Sequence, residues 1–376
     1  MKISCTQENL NQGLSVVSHI ASKSTNLPIL SNVLIKVEDK LINFSATNLE
    51  IGITISIRGK IETDGDFSVN ARLLSDYISL LPKERIDIDL EDDNLNIKCL
   101  KQKTKIKGQS ATDFPLIPII KKENPRIINA QVFKQAISKV IFAVSTSETR
   151  PEISGVFVKF TNNEIILAAT DSYRLTEKKL KINNSSDKED VSLIIPVKTL
   201  QELLRILGIF RDNISLEDVE NLEIYLSNNQ IMFSYNGVDL ISRLIEGQYP
   251  DYTQIIPTVN KNQIKVNTAN LIKAVKTSSL FTKTGIYDIK LDFNTEAKEI
   301  VISSSSSQTG ENISSVEADI SGETTNIVLN YRYLLDGLQN INSENVLIEL
   351  NNNNNPLVVK SDVSEDYVYI IMPIKQ

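Results

Sequence analysis

The chain has 376 residues, which at roughly 150 residues a domain suggests two or three domains. Hydrophobic residues make up 41% of it and charged residues 23%, so it can bury a core and is not a disordered chain. With 40 basic and 47 acidic residues the net charge is −7, which argues against a protein that coats nucleic acid through a general positive charge.

Cysteine and histidine are too scarce for most metal and nucleophilic sites. Cys5, Cys99 and His19 are the only residues of these types, so we expect no metal and no cofactor. Two cysteines in so long a chain are typical of a reducing compartment. The polar N-terminal residues, and the absence of about 18 consecutive apolar residues, predict neither a signal peptide nor a membrane span. We therefore expect a soluble, cytoplasmic protein, with His19 in the core or a groove because its neighbours form an apolar helical run.

The first part of the chain alternates between two periodicities. Apolar residues spaced three and four apart predict helices at 6–22 and 71–81. Alternation of apolar and polar residues predicts strands between and after them, at 33–37, 41–46 and 67–69 and in a hairpin at 85–100. A proline-bearing segment at 113–115 ends this part.

The same order of elements then occurs twice more. The second copy comprises helices at 131–143 and 197–208, strands at 156–160, 165–169 and 193–196, and a hairpin at 221–235. The third comprises helices at 269–279 and 331–340, a strand at 327–329 and a hairpin at 345–360. This repeat predicts an α+β chain of three tandem helix-plus-antiparallel-sheet domains, at 1–124, 125–259 and 260–376. Two low-complexity tracts, 303–307 and 351–355, are interpreted as loops.

Positive charge is concentrated on the predicted helices. The six helical windows hold eight basic and four acidic residues, and the rest of the chain carries a surplus of eleven negative charges. Helices on one face of tandem sheets would present these cations to one axis, where a phosphate backbone would bind through charge without base contacts. The alternative is that helices simply tolerate Lys and Arg, and composition leaves both interpretations open.

The chain resembles a known family, the bacterial DNA polymerase III beta subunit or sliding clamp. The resemblance covers essentially the full length and is carried by five short segments, 27–32 (LPILSN), 148–151 (ETRP) with Gly155, 169–175 (ATDSYRL), 249–252 (YPDY) and 369–374 (YIIMPI). It implies the DNA clamp fold and a head-to-tail homodimer, whose six domains form a ring around duplex DNA. It also implies a non-catalytic processivity factor that binds DNA without sequence specificity.

The family further implies a hydrophobic pocket between the second and third domains that captures a short peptide from partner proteins. The matching positions are Ile153, Thr170, Ser172, Tyr173, Arg174, Leu175, Pro250, Ile255, Tyr333, Pro356, Ile370, Met372, Pro373 and Ile374. The alternative for these apolar residues is ordinary strand and turn packing. The family often has Gly-His where this chain has Ser172-Tyr173, and a basic residue where it has Gln254, so we expect the pocket shape, the rim charge and the peptide preference to differ.

Two further sets are implied. The DNA-facing set, from family positions and from the helix charges, comprises Lys23, Ser24, Arg72, Lys134, Lys139, Arg150, Lys198, Lys273 and Lys276. The dimer interface set comprises Thr104, Ile106, Leu280 and Phe281. The alternatives are solvated surface for the first set, and helix-end core for Leu280 and Phe281.

The expected partners are a second copy of the chain, double-stranded DNA, the polymerase alpha subunit and the clamp loader. Repair polymerases, mismatch repair proteins and ligase would use the same pocket, in the cytoplasm and associated with the nucleoid. Two other functions are alternatives. A β-rich hydrolase would need a convergent polar constellation, and Asp171 has neither a nearby base nor a second carboxylate at fixed spacing. A monomeric adaptor would keep the pocket and lack the ring.

Overall fold

A computed structural model describes residues 1–21, 27–147, 149–182, 189–210 and 220–375. Its helices are α1 (Gln7–Val17), α2 (Ala71–Ser79), α3 (Ala130–Val140), α4 (Val197–Ile209), α5 (Thr268–Ser279) and α6 (Tyr331–Gln339). The six predicted helices are thus confirmed, although α1 ends earlier than expected. Side chains cap the N-termini, since Asn70, Asn267 and Asn330 each accept a hydrogen bond from a backbone N–H of the first turn.

The strands of the first sheet alternate buried and more exposed residues most regularly in the predicted hairpin at 85–100, as expected for a sheet with one buried face. They are β1 (Lys2–Thr6), β2 (Asn32–Glu38), β3 (Leu41–Thr47), β4 (Ile51–Ile57), β5 (Lys60–Thr63), β6 (Gly65–Asn70), β7 (Arg85–Glu91), β8 (Asn94–Cys99), β9 (Gln102–Gln109), β10 (Arg126–Asn129), β15 (Asn221–Ser227), β16 (Gln230–Tyr235) and β17 (Val238–Arg243).

A second sheet contains the remaining strands. They are β11 (Gly155–Phe160), β12 (Glu164–Thr170), β13 (Arg174–Lys181), β14 (Val191–Pro196), β18 (Asn262–Asn267), β19 (Asp288–Asn294), β20 (Glu299–Ser306), β21 (Gly310–Ser321), β22 (Thr325–Asn330), β23 (Asn345–Leu350), β24 (Leu357–Ser361) and β25 (Tyr367–Ile371). The three predicted hairpins are confirmed as β7–β8, β15–β16 and β23–β24.

The described chain divides into two compact units, each built on one sheet. The first, Met1–Lys134 with Lys198–Leu244, has the strand order β10-β15-β16-β17-β4-β3-β2-β6-β9-β8-β7-β1-β5. The second, Gln135–Val197 with Ile245–Gln376, has the order β14-β11-β12-β13-β25-β24-β23-β18-β21-β20-β19-β22. Each sheet runs across an expected domain boundary, through the antiparallel pairs β17–β4 and β13–β25. The expected domain limits stay a prediction.

The core of the second unit shows how the sheets and helices are held together. Leu271 of α5 and Leu334 of α6 are fully buried against the sheet, together with Tyr369 of β25. Full burial of one such large apolar side chain stabilises the fold by about 1.5–3 kcal/mol. Gly337 of α6 permits a close approach of the helix to the sheet, because a Cβ there would lie 2.1 Å from the Tyr369 ring. None of the helices described is long and apolar enough to span a membrane.

One of the two low-complexity tracts is a strand, which corrects the interpretation as a loop. Residues 303–306 lie in β20, where Ser303 is opposite Ile313 of β21. The Ser304 hydroxyl is buried and donates to the Ser278 carbonyl at 2.6 Å. The buried serine of this run therefore has a hydrogen-bond partner on the adjacent helix. The tract 351–355 lies between β23 and β24 and is a loop, as predicted.

His19 is also placed differently from expectation, because α1 ends at Val17 and the helical periodicity stops there. Its side chain is 66% exposed, and its Nδ1 lies 2.7 Å from Oε2 of the buried Glu202 on α4. Arg205 completes this cluster. It bonds Glu202 and donates to the Ser15 carbonyl at 2.8 Å, at the C-terminal end of α1. Arg205 is therefore engaged in joining two helices, although it was counted among the helix charges.

Candidate partner-binding pocket

The connection from β12 to β13 is a turn whose shape is fixed by its own side chains. Thr170 donates its hydroxyl to the Arg174 carbonyl at 2.7 Å and accepts from the Ser172 N–H at 3.1 Å. Asp171 accepts from the N–H groups of Tyr173 and Arg174 at 2.9 and 3.0 Å. Ser172 is held at a φ of 76°, a conformation uncommon for a residue other than glycine. We call residues 170–174 the pocket turn.

Arg174 ties the pocket turn to two helices. Its Nε donates to Asp171 at 2.9 Å, its Nη1 to Asp336 of α6, and its Nη2 to the Phe142 carbonyl just beyond α3 at 2.8 Å. Three of its donor groups thus have separate acceptors, which is the arrangement that makes a largely buried guanidinium tolerable. The turn cannot move without disturbing these contacts.

Aromatic rings enclose the same guanidinium. Its carbon lies 4.7 Å from the ring centroid of Tyr333 and 5.5 Å from that of Phe142. Burial disfavours the charge of Arg174, but the nearby Tyr369 and the carboxylates outweigh it and raise the pKa of this arginine. Arg174 is therefore a permanent cation beneath an otherwise apolar surface.

The residues that follow β25 lie beside the pocket turn. After β25, the Met372 N–H donates to the Tyr173 carbonyl at 2.8 Å, and the Ile374 N–H donates to the Val328 carbonyl at 2.8 Å. The ring of Tyr173, which is 63% exposed, stacks on that of Tyr333 with centroids 6.4 Å apart. Met372 is also exposed, so an aromatic pair and a thioether face solvent side by side.

Behind this surface lies a small apolar cluster distinct from the main core. It contains Ile153, Leu175 and Ile370 with the tyrosines of the 249–252 segment. Tyr252 donates its hydroxyl to the buried Glu177 at 2.6 Å, and burial raises the pKa of Tyr252. The cluster gives the pocket turn a rigid apolar support, which is what a preformed peptide site needs.

The predicted pocket residues all lie in the second unit but differ in exposure. Ser172, Tyr173, Ile255 and Met372 are exposed, and Arg174, Pro250, Tyr333, Pro356, Pro373 and Ile374 are half-buried. Ile153, Thr170, Leu175 and Ile370 are buried and support the surface from below. Sequence reasoning missed Asp336 and Phe142. Asp336 lies three residues after Tyr333 on one helix face, a spacing that could have indicated it.

The pocket turn has a counterpart in the first unit, at residues 47–51. Thr47 donates to the Ile51 carbonyl at 2.9 Å, Asn48 accepts from the Ile51 N–H at 2.8 Å, and Leu49 has a φ of 76°. The Arg243 N–H donates to the Glu50 carbonyl, as the Met372 N–H does to that of Tyr173. Ile51 stands where the pocket turn has Arg174, so the copy lacks the buried cation. The repeat therefore reproduces the backbone of the pocket and not its chemistry.

The predicted DNA-facing residues have different environments. Lys23 and Ser24 lie outside the described residues. Lys198, Lys273 and Lys276 are exposed on α4 and α5, while Arg72 of α2 is exposed and lies 3.9 Å from Asp76. Lys134 and Lys139 of α3 are half-buried.

Arg150 lies beside the pocket turn, although it was expected in the DNA-facing set. Its Nη1 donates to the Ser172 hydroxyl at 2.8 Å and its Nε to Glu152 at 3.0 Å. Two hydrogen bonds lower the pKa of Glu152, first the one from its own backbone N–H and then the one from Arg150. Arg150 thus adds a cation to the rim of the surface formed by Tyr173 and Met372.

Besides the terminal strands β5, β10, β14 and β22 of the two sheets, β9 and β21 each have a segment with one edge unpaired among the described residues. On β9, which carries Thr104 and the buried Ile106, residues 102–107 pair with β8 only. On β21, residues 310–317 pair with β20 only. Leu280, after α5, is 72% exposed and Ile313 of β21 is 70% exposed, so Leu280 is not the core residue of the alternative interpretation. Phe281 is half-buried.

Comparison with known proteins gives one consistent result. Models of the DNA polymerase III beta subunit match in succession, the N-terminal domain at 1–118, the central domain at 127–251 and the C-terminal domain at 253–375. The beta sliding clamp of Bacillus subtilis is 30% identical over 100% of both chains. That of Streptococcus pneumoniae serotype 4 is 32% identical over 97% of this chain and 96% of its own. The solved DNA polymerase sliding clamp of Bacillus subtilis has a TM-score of 0.93 at 29% identity, covering 100% of this chain and 99% of that one.

Proposed function

The chain belongs to the DNA polymerase III beta subunit family, the beta sliding clamps, and on this premise we propose that two copies close head to tail into a ring around duplex DNA. The chain is a DNA polymerase processivity factor with three clamp domains, and not an enzyme. In the ring, topology keeps the protein on DNA, while a peptide contact keeps the polymerase on the ring.

The observation that carries the tethering role is the pocket turn with its buried arginine. An apolar surface of Tyr173, Tyr333 and Met372 stands over a rigid cluster, with Arg150 and Arg174 as fixed cations. Such a surface suits a short peptide with apolar anchors and with acidic side chains or backbone carbonyls that reach the cations. The polymerase alpha subunit, the clamp loader, repair polymerases, mismatch repair proteins and ligase are the partners we propose for it, in the cytoplasm and at the nucleoid.

The free edges of β9 and β21 support the ring. Lys103, Lys105 and Lys107 alternate along the exposed face of β9, and Glu311 and Glu317 lie on the exposed face of β21. Antiparallel pairing of β9 with β21 of a second copy would set opposite charges against each other and cover both edges. The exposed side chains of Leu280 and Ile313 would supply the apolar part of this interface.

The DNA-facing role is proposed for the exposed cations of α2, α4 and α5, namely Arg72, Lys198, Lys273 and Lys276. Charge contacts to phosphates give binding that is independent of sequence and weakened by salt. Lys23 and Ser24 stay in this set by resemblance alone.

Retention on circular DNA tests the proposed function. The protein is placed on a nicked plasmid by a bacterial clamp loader and separated from free protein by gel filtration. We expect it to stay with circular DNA and to leave within minutes once the plasmid is cut at one site. Equal retention on the cut and the circular plasmid would refute encirclement and favour ordinary DNA binding. Loss from both would favour the monomeric adaptor.

A further inference from the structure

The last turn of α3 holds a lysine that the pocket does not use. Lys139 is half-buried, and its Nζ lies 5.5 Å from the ring centroid of Tyr367 on β25. In the part of the chain that the structure describes, no carboxylate lies within ion-pair distance of this ammonium group. An aromatic face is a weaker partner for a cation than a carboxylate is.

A second lysine lies beside the first. The strand register sets Lys178 of β13 directly opposite Tyr367, so both ammonium groups belong to one small cluster. Lys178 is buried and bonds Asp366, which also accepts from the Ser364 hydroxyl. Asp366 is therefore paired with Lys178 and not with Lys139.

This environment changes the pKa of Lys139. Burial lowers the pKa of Lys139, the charge of Lys178 lowers it further, and Asp366 opposes them without reversing the direction. A lysine that is partly desolvated and next to another cation is the usual form of a nucleophilic amine in proteins. Lys139 also keeps contact with solvent, so a small reagent can reach it.

We propose that Lys139 is a site of lysine acylation, with an acyl phosphate as the acyl donor. The neutral amine attacks the acyl carbon and forms the amide C–N bond, while the C–O bond to phosphate breaks. The amine proton leaves with the phosphate, so no oxidant, reductant or further reactant is needed.

The modification depends only on this local cluster, and not on ring formation or peptide binding. Acylation would turn the ammonium of Lys139 into a neutral amide. It would therefore remove a charge from α3 and relieve the repulsion with Lys178. Cells rich in acyl phosphates would carry the modified form.

The test uses the full-length protein and acetyl phosphate. Initial rates of acetylation at each lysine are measured by peptide mass spectrometry between pH 6.5 and pH 9 at 25 °C, with the exposed Lys276 in the last turn of α5 as the internal control. We expect Lys139 to react several-fold faster than Lys276 at pH 7, with the ratio falling towards high pH. Equal or slower reaction of Lys139 throughout would overturn the proposal.

Two variants separate the cluster from simple accessibility. Lys178→Met removes the neighbouring cation and should slow acetylation of Lys139 several-fold, leaving Lys276 unchanged. Asp366→Asn removes the opposing anion and should accelerate it, and this variant carries the test if Lys178→Met does not fold. Unchanged rates at Lys139 in the folded variants would contradict the mechanism.

Discussion

Arg174 places a cation under an apolar surface, and its position depends on the carboxylates that hold it. Replacing Asp336 by Asn leaves the contacts to Asp171 and to the Phe142 carbonyl but removes the charge on α6. Because Asp336 is partly exposed, we expect a modest loss, about fivefold in peptide affinity or about 1 kcal/mol. Fluorescence anisotropy with a labelled clamp-binding peptide of the polymerase alpha subunit measures it.

The matched control is Asp76→Asn on α2, another aspartate that faces an arginine on a helix but lies far from the pocket turn in sequence. It should leave the dissociation constant unchanged. If both variants bind the peptide as the wild type does, the contact with Asp336 does not position the turn.

Asp366 makes the stability of the fold depend on pH in the acidic range. Burial raises its pKa, but the bonds from Lys178 and Ser364 outweigh burial, so the pKa of Asp366 is lowered overall. A carboxyl with a lowered folded-state pKa stabilises the fold above its unfolded value of about 3.9 and loses this effect as the pH falls through the folded value. We therefore expect Asp366→Asn to unfold at lower urea than the wild type at pH 7, with the difference shrinking below about pH 4. A difference that is constant from pH 7 to pH 3 would contradict this account.

Among the secondary-structure elements, α6 packs closely on its sheet at Gly337. An alanine at Gly337 would force the helix away from the Tyr369 ring and should lower the free energy of unfolding by about 2 kcal/mol. Gly208 of α4 provides the control, since the nearest atom to its added Cβ is the flexible Lys134 Nζ at 3.7 Å. Gly208→Ala should be neutral or stabilising by about 0.5 kcal/mol, because alanine favours helix. Urea titration measures the free energy of unfolding of both variants. Equal effects would show that the packing of α6 on the Tyr369 ring accommodates the added methyl group.

The helices and hairpins were the features that the amino-acid sequence predicted best. Each helix has an apolar stripe such as Leu334 and Leu338, and each hairpin alternates around a polar turn, so local periodicity was sufficient. The strand at 303–306 was missed because its buried Ser304 finds its hydrogen-bond partner, the Ser278 carbonyl, through a contact distant in sequence. The same limit applies to the candidate site. Family motifs located the pocket turn, but the partners of Arg174 are set by tertiary contacts.

At the scale of the whole molecule, the free edges of β9 and β21 are the features that need a second copy. Leu280→Ser combined with Ile313→Ser should abolish dimer formation at micromolar concentration while preserving the circular dichroism spectrum, because both side chains are exposed. Leu116→Ser, at a linker residue that is 98% exposed, should have no effect on association. Sedimentation velocity gives the result, and a dimeric double variant would exclude these side chains from the interface.

The most direct measurement is the mass of the purified wild-type protein in solution. The chain has a mass of 42.1 kDa, and light scattering at micromolar concentration should give twice that value. A dimer is what a closed ring of two three-domain chains requires. A monomer throughout the micromolar range would contradict the stable ring and leave the pocket as that of a monomeric adaptor.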